Sequence, residues 1–366
     1  MKQIIRQNKA LHIWLLVVFF LSALFHFLRL FRPLMNFWVD NILPAILRPI
    51  SFVVHLVSFS VAEVLVIGFV LLCLGLLIWE IRKMRKKKRL QNPSPMKNGL
   101  YRIFLASLAL FFTIYSGFSW MYGVFFFADN FQERSGIHAQ AATIDELERV
   151  TRFFAEGLNQ NAPLVLRNEQ QVFSMPISDI FSESVYVFEN LEEAFPFLSH
   201  NDRPPKALYL TSWLFAMTDY TGFYFPFTGE ANINILAPRS QIPATVLHEF
   251  AHQRRIGSEN EANFIAVLAG VYSDNPHFAY SSFLMGYSYL ANALNRVAPE
   301  RFRNIHDSLD PLVHADLADI RAYHARKNPT AQRVTNVVYD NFLQTFGEES
   351  GIQSYGEVVD LLIAYF

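Results

Sequence analysis

Charge is what this chain of 366 residues has least of: Asp, Glu, Lys and Arg make up 17% of it, against about 25% in an ordinary soluble chain. A chain so poor in charge cannot cover all its surface with polar groups, so lipid must cover part of it. Neither sign dominates. The 31 Lys and Arg against 32 Asp and Glu exclude a generally basic nucleic-acid binder. Cysteine is almost absent: Cys73 alone excludes an intramolecular disulfide, a Cys-based zinc cluster and a redox pair. There is no internal repeat and no low-complexity tract.

What is there instead is phenylalanine, 36 times, and long uncharged runs near the front. Ala10 to Leu28 carries no formal charge, close to the ~20 residues a helix needs to cross the hydrocarbon core. It is too long for a signal-peptide core and has no small-residue cleavage site, so it reads as a retained anchor. Ile103 to Ala128 is the longest uncharged run, and Val64 to Trp79 is another behind Glu63. Spans are expected at about 10–31, 61–79 and 103–128. Residues 44–60, with Pro44 and Pro49, read as a re-entrant or interfacial segment.

Residues 80–102 hold Arg82, Lys83, Arg85, Lys86, Lys87, Lys88, Arg89, Lys97 and Arg102 and, beyond Glu80, no acid. Beside two spans, such a run reads as a short cytoplasmic loop, and Asn92-Pro93-Ser94-Pro95 is expected to break any helix there. The N-terminus, with Lys2, Arg6 and Lys9, is assigned to the same side. The expected organisation is a membrane domain over 1–128 and an extracytoplasmic domain over 129–366.

The second domain reads as mostly helical. Thr143-Ile144-Asp145-Glu146 fits a capping box before a helix to about Asn159, and another helix is expected across Glu183–Phe195. Ala207–Thr211 and Ala231–Ile235 read as short strands. The second alternates polar and apolar, which leaves Asn232 and Asn234 on a wet face. Thr221-Gly222 and Thr228-Gly229 mark turns, and Gly222–Ile235 can supply an edge strand for an extended peptide. From Ser240 on the pattern is helical. His306, His314 and His324 read as surface residues.

The informative stretch is Gln241 to Gln253. Pro243 suits the first turn of a helix, and His248 and His252, one helical turn apart, then lie on one face. That places two imidazoles where both can bind one tetrahedral Zn²⁺. Glu249, rotated away by one residue, lies beside the metal without ligating it. A carboxylate there can take a proton from water activated by the metal and pass it to a leaving amine. Gly257 is expected to end this helix, and Ser258 to open the next.

Two carboxylates compete for the third ligand. Glu261 shares an apolar face with Phe264, Ile265 and Leu268; it also fits a capping box with Ser258. Glu259 lies with Ala262, Asn263 and Ala266. The carboxylate on the apolar stripe is preferred, so Glu261 is the expected ligand, with Asn263 a candidate to hold a histidine. Tyr224, Tyr287, Tyr289, Tyr355, His277 and His314 are all candidates to steady an oxyanion.

His248-Glu249-Phe250-Ala251-His252 followed by Glu261-Ala262-Asn263 resembles the gluzincin metallopeptidases. The chain is also similar to an uncharacterised bacterial membrane family, domain of unknown function 3810. That likeness rests on the zinc motif, Thr221–Tyr224, Pro226–Asn232 and Ser354–Leu362. The resemblance implies a mainly α fold: transmembrane helices, then a zincin-like α+β domain with a small sheet and an HExxH helix. It implies His248, His252 and Glu261 as zinc ligands, Glu249 as the base, and a peptide or protein substrate. The expected function is a membrane-anchored zinc metallopeptidase. The alternative is a non-catalytic membrane sensor or scaffold with a structural zinc.

Overall fold

The computed structural model describes residues 6–88, 94–326, 328–345 and 355–366. The chain separates into two compact units, Met1–Arg48 with Val61–Ala128, and Pro49–Ser60 with Asp129–Phe366.

The first unit is helical: α1 (Lys9–Leu28), α2 (Arg32–Phe37), a π-helical turn (Trp38–Ile42), the start of α3 (Leu43–Val54), α4 (Val61–Lys88) and α5 (Ser94–Met121). Four helical stretches are long and apolar enough to cross a membrane: Lys9–Leu28, Arg32–Val54, Val61–Arg85 and Gly99–Met121. The sequence led us to expect three. Arg32–Val54 is the addition. The π turn stands directly before Pro44, whose ring and missing N–H disturb the regular ladder, so the helix widens there rather than stopping. The basic run expected as a loop is helical to Lys88, since Lys and Arg are good helix formers. Arg89 to Pro93 lie outside the described residues. Ser94 and Pro95 open α5, because proline in a first turn forfeits no hydrogen bond.

α1 and α5 pack side by side and run parallel. His12 Nε2 lies 2.9 Å from the Tyr101 hydroxyl and His26 Nε2 lies 2.7 Å from that of Tyr115. The two pairs keep one sequence offset, so the helices advance together. Trp14 Nε1 donates to Thr113 Oγ1 at 2.9 Å and Trp120 Nε1 donates to the Leu21 carbonyl at 3.2 Å.

In the second unit, α6 (Phe131–Ser135) precedes α7 (Ile144–Asn161), which the Thr143–Glu146 capping box opens as its sequence signals. The helix expected over Glu183–Phe195 is instead α8 (Ile177–Glu183), a 3-10 turn and α9 (Glu189–Ala194). Three short strands follow in the order β1 (Lys206–Ala207), β3 (Glu230–Ile233), β2 (Gly222–Phe225), with α10 (Ser212–Thr218) between β1 and β2. β1 pairs parallel with β3 through Lys206↔Asn232, and β2 pairs antiparallel through Phe223↔Asn232. The first strand is shorter than expected because the chain turns into α10 at Ser212.

The wet face assigned to β3 is corrected. All of Glu230–Ile233 is buried, and so are Asn232 and Asn234. Asn232 Oδ1 accepts from Ser60 Oγ at 2.6 Å, and Asn234 Nδ2 donates to the Tyr220 carbonyl at 3.0 Å. Alternation therefore marks two buried faces here, one apolar and one hydrogen-bonded. From Ser240 on the chain is helical as expected: α11 (Ile242–Gln253), α12 (Glu259–Val271), α13 (Pro276–Val297), α14 (Pro299–His306), α15 (Pro311–His324), α16 (Pro329–Thr345) and α17 (Tyr355–Tyr365). Phe154 on α7, Phe250 on α11, Phe264 on α12 and Phe278 on α13 are fully buried members of the hydrophobic core of this unit.

Candidate metal centre

Pro243 stands in the first turn of α11, and the helix is anchored there by the Ala244 N–H, which donates to Ser281 Oγ on α13 at 3.0 Å. One turn on, His248 and His252 project together, their Nε2 atoms 3.1 Å apart. The helix then ends earlier than Gly257. Arg255 adopts a left-handed φ of 72°, Arg255 N–H donates to the His252 carbonyl at 3.0 Å, and Ile256 N–H to that of Ala251 at 3.3 Å. This is the Schellman pattern, with arginine where glycine is usual.

The turn also orients one of the two histidines. It brings the Ile256 carbonyl back to His252 Nδ1, which donates to it at 2.8 Å and so leaves Nε2 with its lone pair towards the site. Asn263 forms no hydrogen bond to either histidine; the backbone of the turn fills the role expected of it.

The tight turn delivers Glu259, the first residue of α12, to the histidine pair. Its Oε2 lies 3.1 Å from His248 Nε2 and its Oε1 lies 3.4 Å from His252 Nε2. Glu261 is not brought there, and the expectation that it completes the trio is corrected. Its carboxylate accepts the N–H of Phe131 at 2.9 Å and of Gln132 at 3.1 Å, closing the first turn of α6. Ser258 makes no capping bond with its side chain, so the capping-box reading of Glu261 fails as well. α12 is buried from Asn260 to Gly270, and an apolar stripe cannot mark the inward side of a helix that is inward on every side.

The donor set could hold one metal ion: the two histidine Nε2 atoms stand 3.1 Å apart, each faces a different oxygen of the Glu259 carboxylate, and one ligand atom from each residue lies within 4.8 Å of the others. The electrostatics favour positive charge at that point. Burial disfavours a charged His252, yet the charge and hydrogen bond of Glu259 raise it to about 9. Burial likewise opposes the Glu259 carboxylate, and the two histidines hold it well below the usual carboxylate range. His248 and Glu259 keep 14% and 19% side-chain exposure, so the trio opens on one side.

Glu249 lies beside the trio, fully enclosed. Burial raises its pKa to about 7, with His248 and His252 pulling it down. Its Oε2 is buried and meets no hydrogen-bond partner among the described residues. Its other oxygen abuts β2: a Cβ on Gly222 would stand 2.8 Å from Glu249 Oε1 and 3.0 Å from the Asn232 carbonyl. The absence of a side chain at Gly222 lets the strand approach this closely. Gln253 Nε2 donates to the Gly229 carbonyl at 2.8 Å and fastens the end of α11 to the turn between β2 and β3.

Of the oxyanion candidates among the described residues, Tyr224 is placed against the trio, its ring 6.4 Å from that of His252. Tyr287 pairs with His306, and His277 accepts from the Leu166 N–H. Tyr289 packs on the hydrophobic core, and the side chain of Tyr355 lies outside the described residues. The three late histidines are part-buried rather than surface residues: His314 packs edge-on against His306, and His324 pairs with Asp219 at 2.7 Å. Asn260 Nδ2 donates to Glu357 Oε2 at 3.0 Å, which ties the start of α12 to α17; nothing in the spacing signals that contact.

The chain belongs to the family described as Protein of unknown function (DUF3810), whose model matches residues 38–363. No match is found among curated proteins or among solved structures.

Proposed function

We propose that this protein is a membrane-anchored, zinc-dependent metallopeptidase with its metal site outside the cytoplasm. The observation that carries the reading is the trio of His248, His252 and Glu259, with ligand atoms within 4.8 Å of one another, beside a buried carboxylate that is no part of it. Zinc held there would supply a Lewis acid to polarise a peptide carbonyl and acidify a water.

The remaining work falls to this chain. Glu249, buried beside the trio with its Oε2 unpartnered among the described residues, accepts the proton of the attacking water and returns it to the leaving amine. The Ile256 carbonyl keeps His252 in one tautomer. β2, on the sheet edge next to Glu249, offers backbone N–H and C=O groups to an extended peptide. A structural zinc has no use for an acid placed this way. The positive-inside rule supports the location, since the basic residues from Arg82 to Lys97 precede the last candidate span, Gly99–Met121, and Arg102 stands at its N-terminal end.

The test is metal analysis of the purified full chain with a peptide-cleavage assay on wild type and Glu249→Gln. About one zinc per chain in both, with cleavage in wild type only, is expected. Zinc without cleavage in either makes the protein a scaffold; no zinc in folded wild type ends the reading.

A further inference from the structure

Two observations bear on the segment that joins the first and third candidate spans. The first is direction. α1 and α5 run parallel, fixed by the His12–Tyr101 and His26–Tyr115 pairs. Two parallel helices that cross a membrane cross it in the same sense, so an odd number of crossings must separate them. Val61–Arg85 supplies one. Arg32–Val54, although long and apolar enough, then cannot supply another. Its sequence agrees, since Asp40 sits midway between Arg32 and Arg48, where a spanning helix would place a charge near the bilayer centre.

The second is membership. Pro49–Ser60 is part of the metal-site unit. Ser60 Oγ donates to Asn232 on β3, Lys206 Nζ on β1 donates to the Val57 carbonyl, and the Arg203 guanidinium lies 5.4 Å from the Phe52 ring centre. Val54 and Ser60 point inward, while Phe52, Val53, Leu56 and Phe59 point outward, Leu56 with 70% of its surface exposed. The chain beyond β1 adds Tyr209, Leu210, Trp213 and Leu214, all exposed. Eight large apolar side chains left exposed on two segments that meet through Lys206 and Val57 call for a covering, and Tyr and Trp are the residues favoured at the lipid–water boundary. The next residue after Ser60, Val61, opens a candidate span.

From these we infer that Pro49–Ser60 does not cross the bilayer but lies in its surface, as a lipid-facing part of the metal-site unit shared with Tyr209–Leu214. The occupant of the apolar face is the headgroup–acyl boundary of the membrane. The chain crosses three times. Its N-terminus lies on one side, and Pro49–Ser60 and Asp129–Phe366 lie together on the other.

The inference rests on the membrane reading but on neither zinc nor hydrolysis, so its test uses neither. Single-cysteine variants of the full chain are made on Cys73→Ser. In sealed, oriented vesicles an impermeant maleimide should label Ser58→Cys and Gln170→Cys from one face and Lys9→Cys from the other. A fluorophore on Leu56→Cys or Leu210→Cys, in phosphatidylcholine–phosphatidylglycerol vesicles, should be quenched several-fold more by lipid labelled near the headgroup than near the chain end. One on Gln170→Cys should respond to aqueous iodide alone. Lys9→Cys labelled from the same face as Gln170→Cys, or Ser58→Cys from the opposite one, overturns the three crossings. Iodide quenching alone at Leu56→Cys and Leu210→Cys overturns the lipid contact.

Discussion

Glu259 and Glu261 are separated by one residue and do opposite jobs, which a pair of substitutions can read out. Glu259→Ala removes one of the three candidate ligands, the other two being the histidines, and the expected result is loss of bound zinc. Glu261→Ala should keep it. Its carboxylate instead closes two backbone donors of α6, and leaving buried N–H groups unmatched costs about 1–3 kcal/mol each. The variant should therefore melt early while its folded fraction still carries metal. If Glu261→Ala strips the metal from folded protein and Glu259→Ala does not, the geometry assigned to the site is wrong. At Glu249, loss of the proton acceptor should lower turnover by about 10²-fold or more without changing metal content. Gln253→Ala, which frees the Gly229 carbonyl, should alter neither in kind and cost only stability.

α11 is set between an edge strand and a charged anchor, and each supports its own expectation. Gly222→Ala on β2 places a methyl against Glu249 Oε1, the Asn232 carbonyl and Thr245 Cγ2; overpacking of this kind costs about 1–3 kcal/mol. Turnover should fall with zinc retained, a result that metal analysis beside a cleavage assay distinguishes from unfolding. At the other end, Arg254 is buried and bonds Asp202 in both branches, at 2.8 and 2.6 Å, and Glu192 at 2.7 Å, over the Phe188 ring. Arg254→Ala leaves Asp202 buried without its partner, and the expected loss is about 3–5 kcal/mol in chemical unfolding. Arg254→Lys should recover little of it, because a lysine cannot make the two-pronged bond. These elements also show how far the sequence could be read. The histidine pair follows from helical periodicity, and the Thr143 capping box from purely local rules, so both are legible. The left-handed Arg255 is not: an arginine carries no signal for that conformation, and the nearby Gly257 carries a false one. Because the turn comes early, it is Glu259 that meets the histidines. Burial of the Asn232 and Asn234 side chains depends on Ser60 and Tyr220, partners distant in the chain that no local pattern announces.

For the whole molecule, the decisive feature is that the metal-site unit is not one continuous stretch. A reporter active only outside the cytoplasm, joined after Phe366, should work, and the same reporter joined within the basic run of 82–102 should be silent. That outcome follows from the basic flank of the last span. A subtler consequence concerns the excised second half, 129–366, which composition alone marks as a separable soluble domain. Without Pro49–Ser60, Asn232 Oδ1 loses the Ser60 hydroxyl, Lys206 loses the Val57 carbonyl, and Phe52 no longer lies against Arg203. Two of these are buried polar groups, each costing about 1–3 kcal/mol when left unmatched, against a total stability of about 5–15 kcal/mol for a typical domain. β3 is the central strand of the sheet, and its pairing with β2 sets the strand that abuts Glu249. The excised half should therefore unfold at a lower temperature than the same unit in the full chain, and bind zinc more weakly. Supplying residues 49–60, tethered to the start of 129–366 by a flexible linker, should restore much of both. A fragment that melts and binds metal like the full chain would show that the interfacial segment merely rests on the sheet and contributes nothing to holding it.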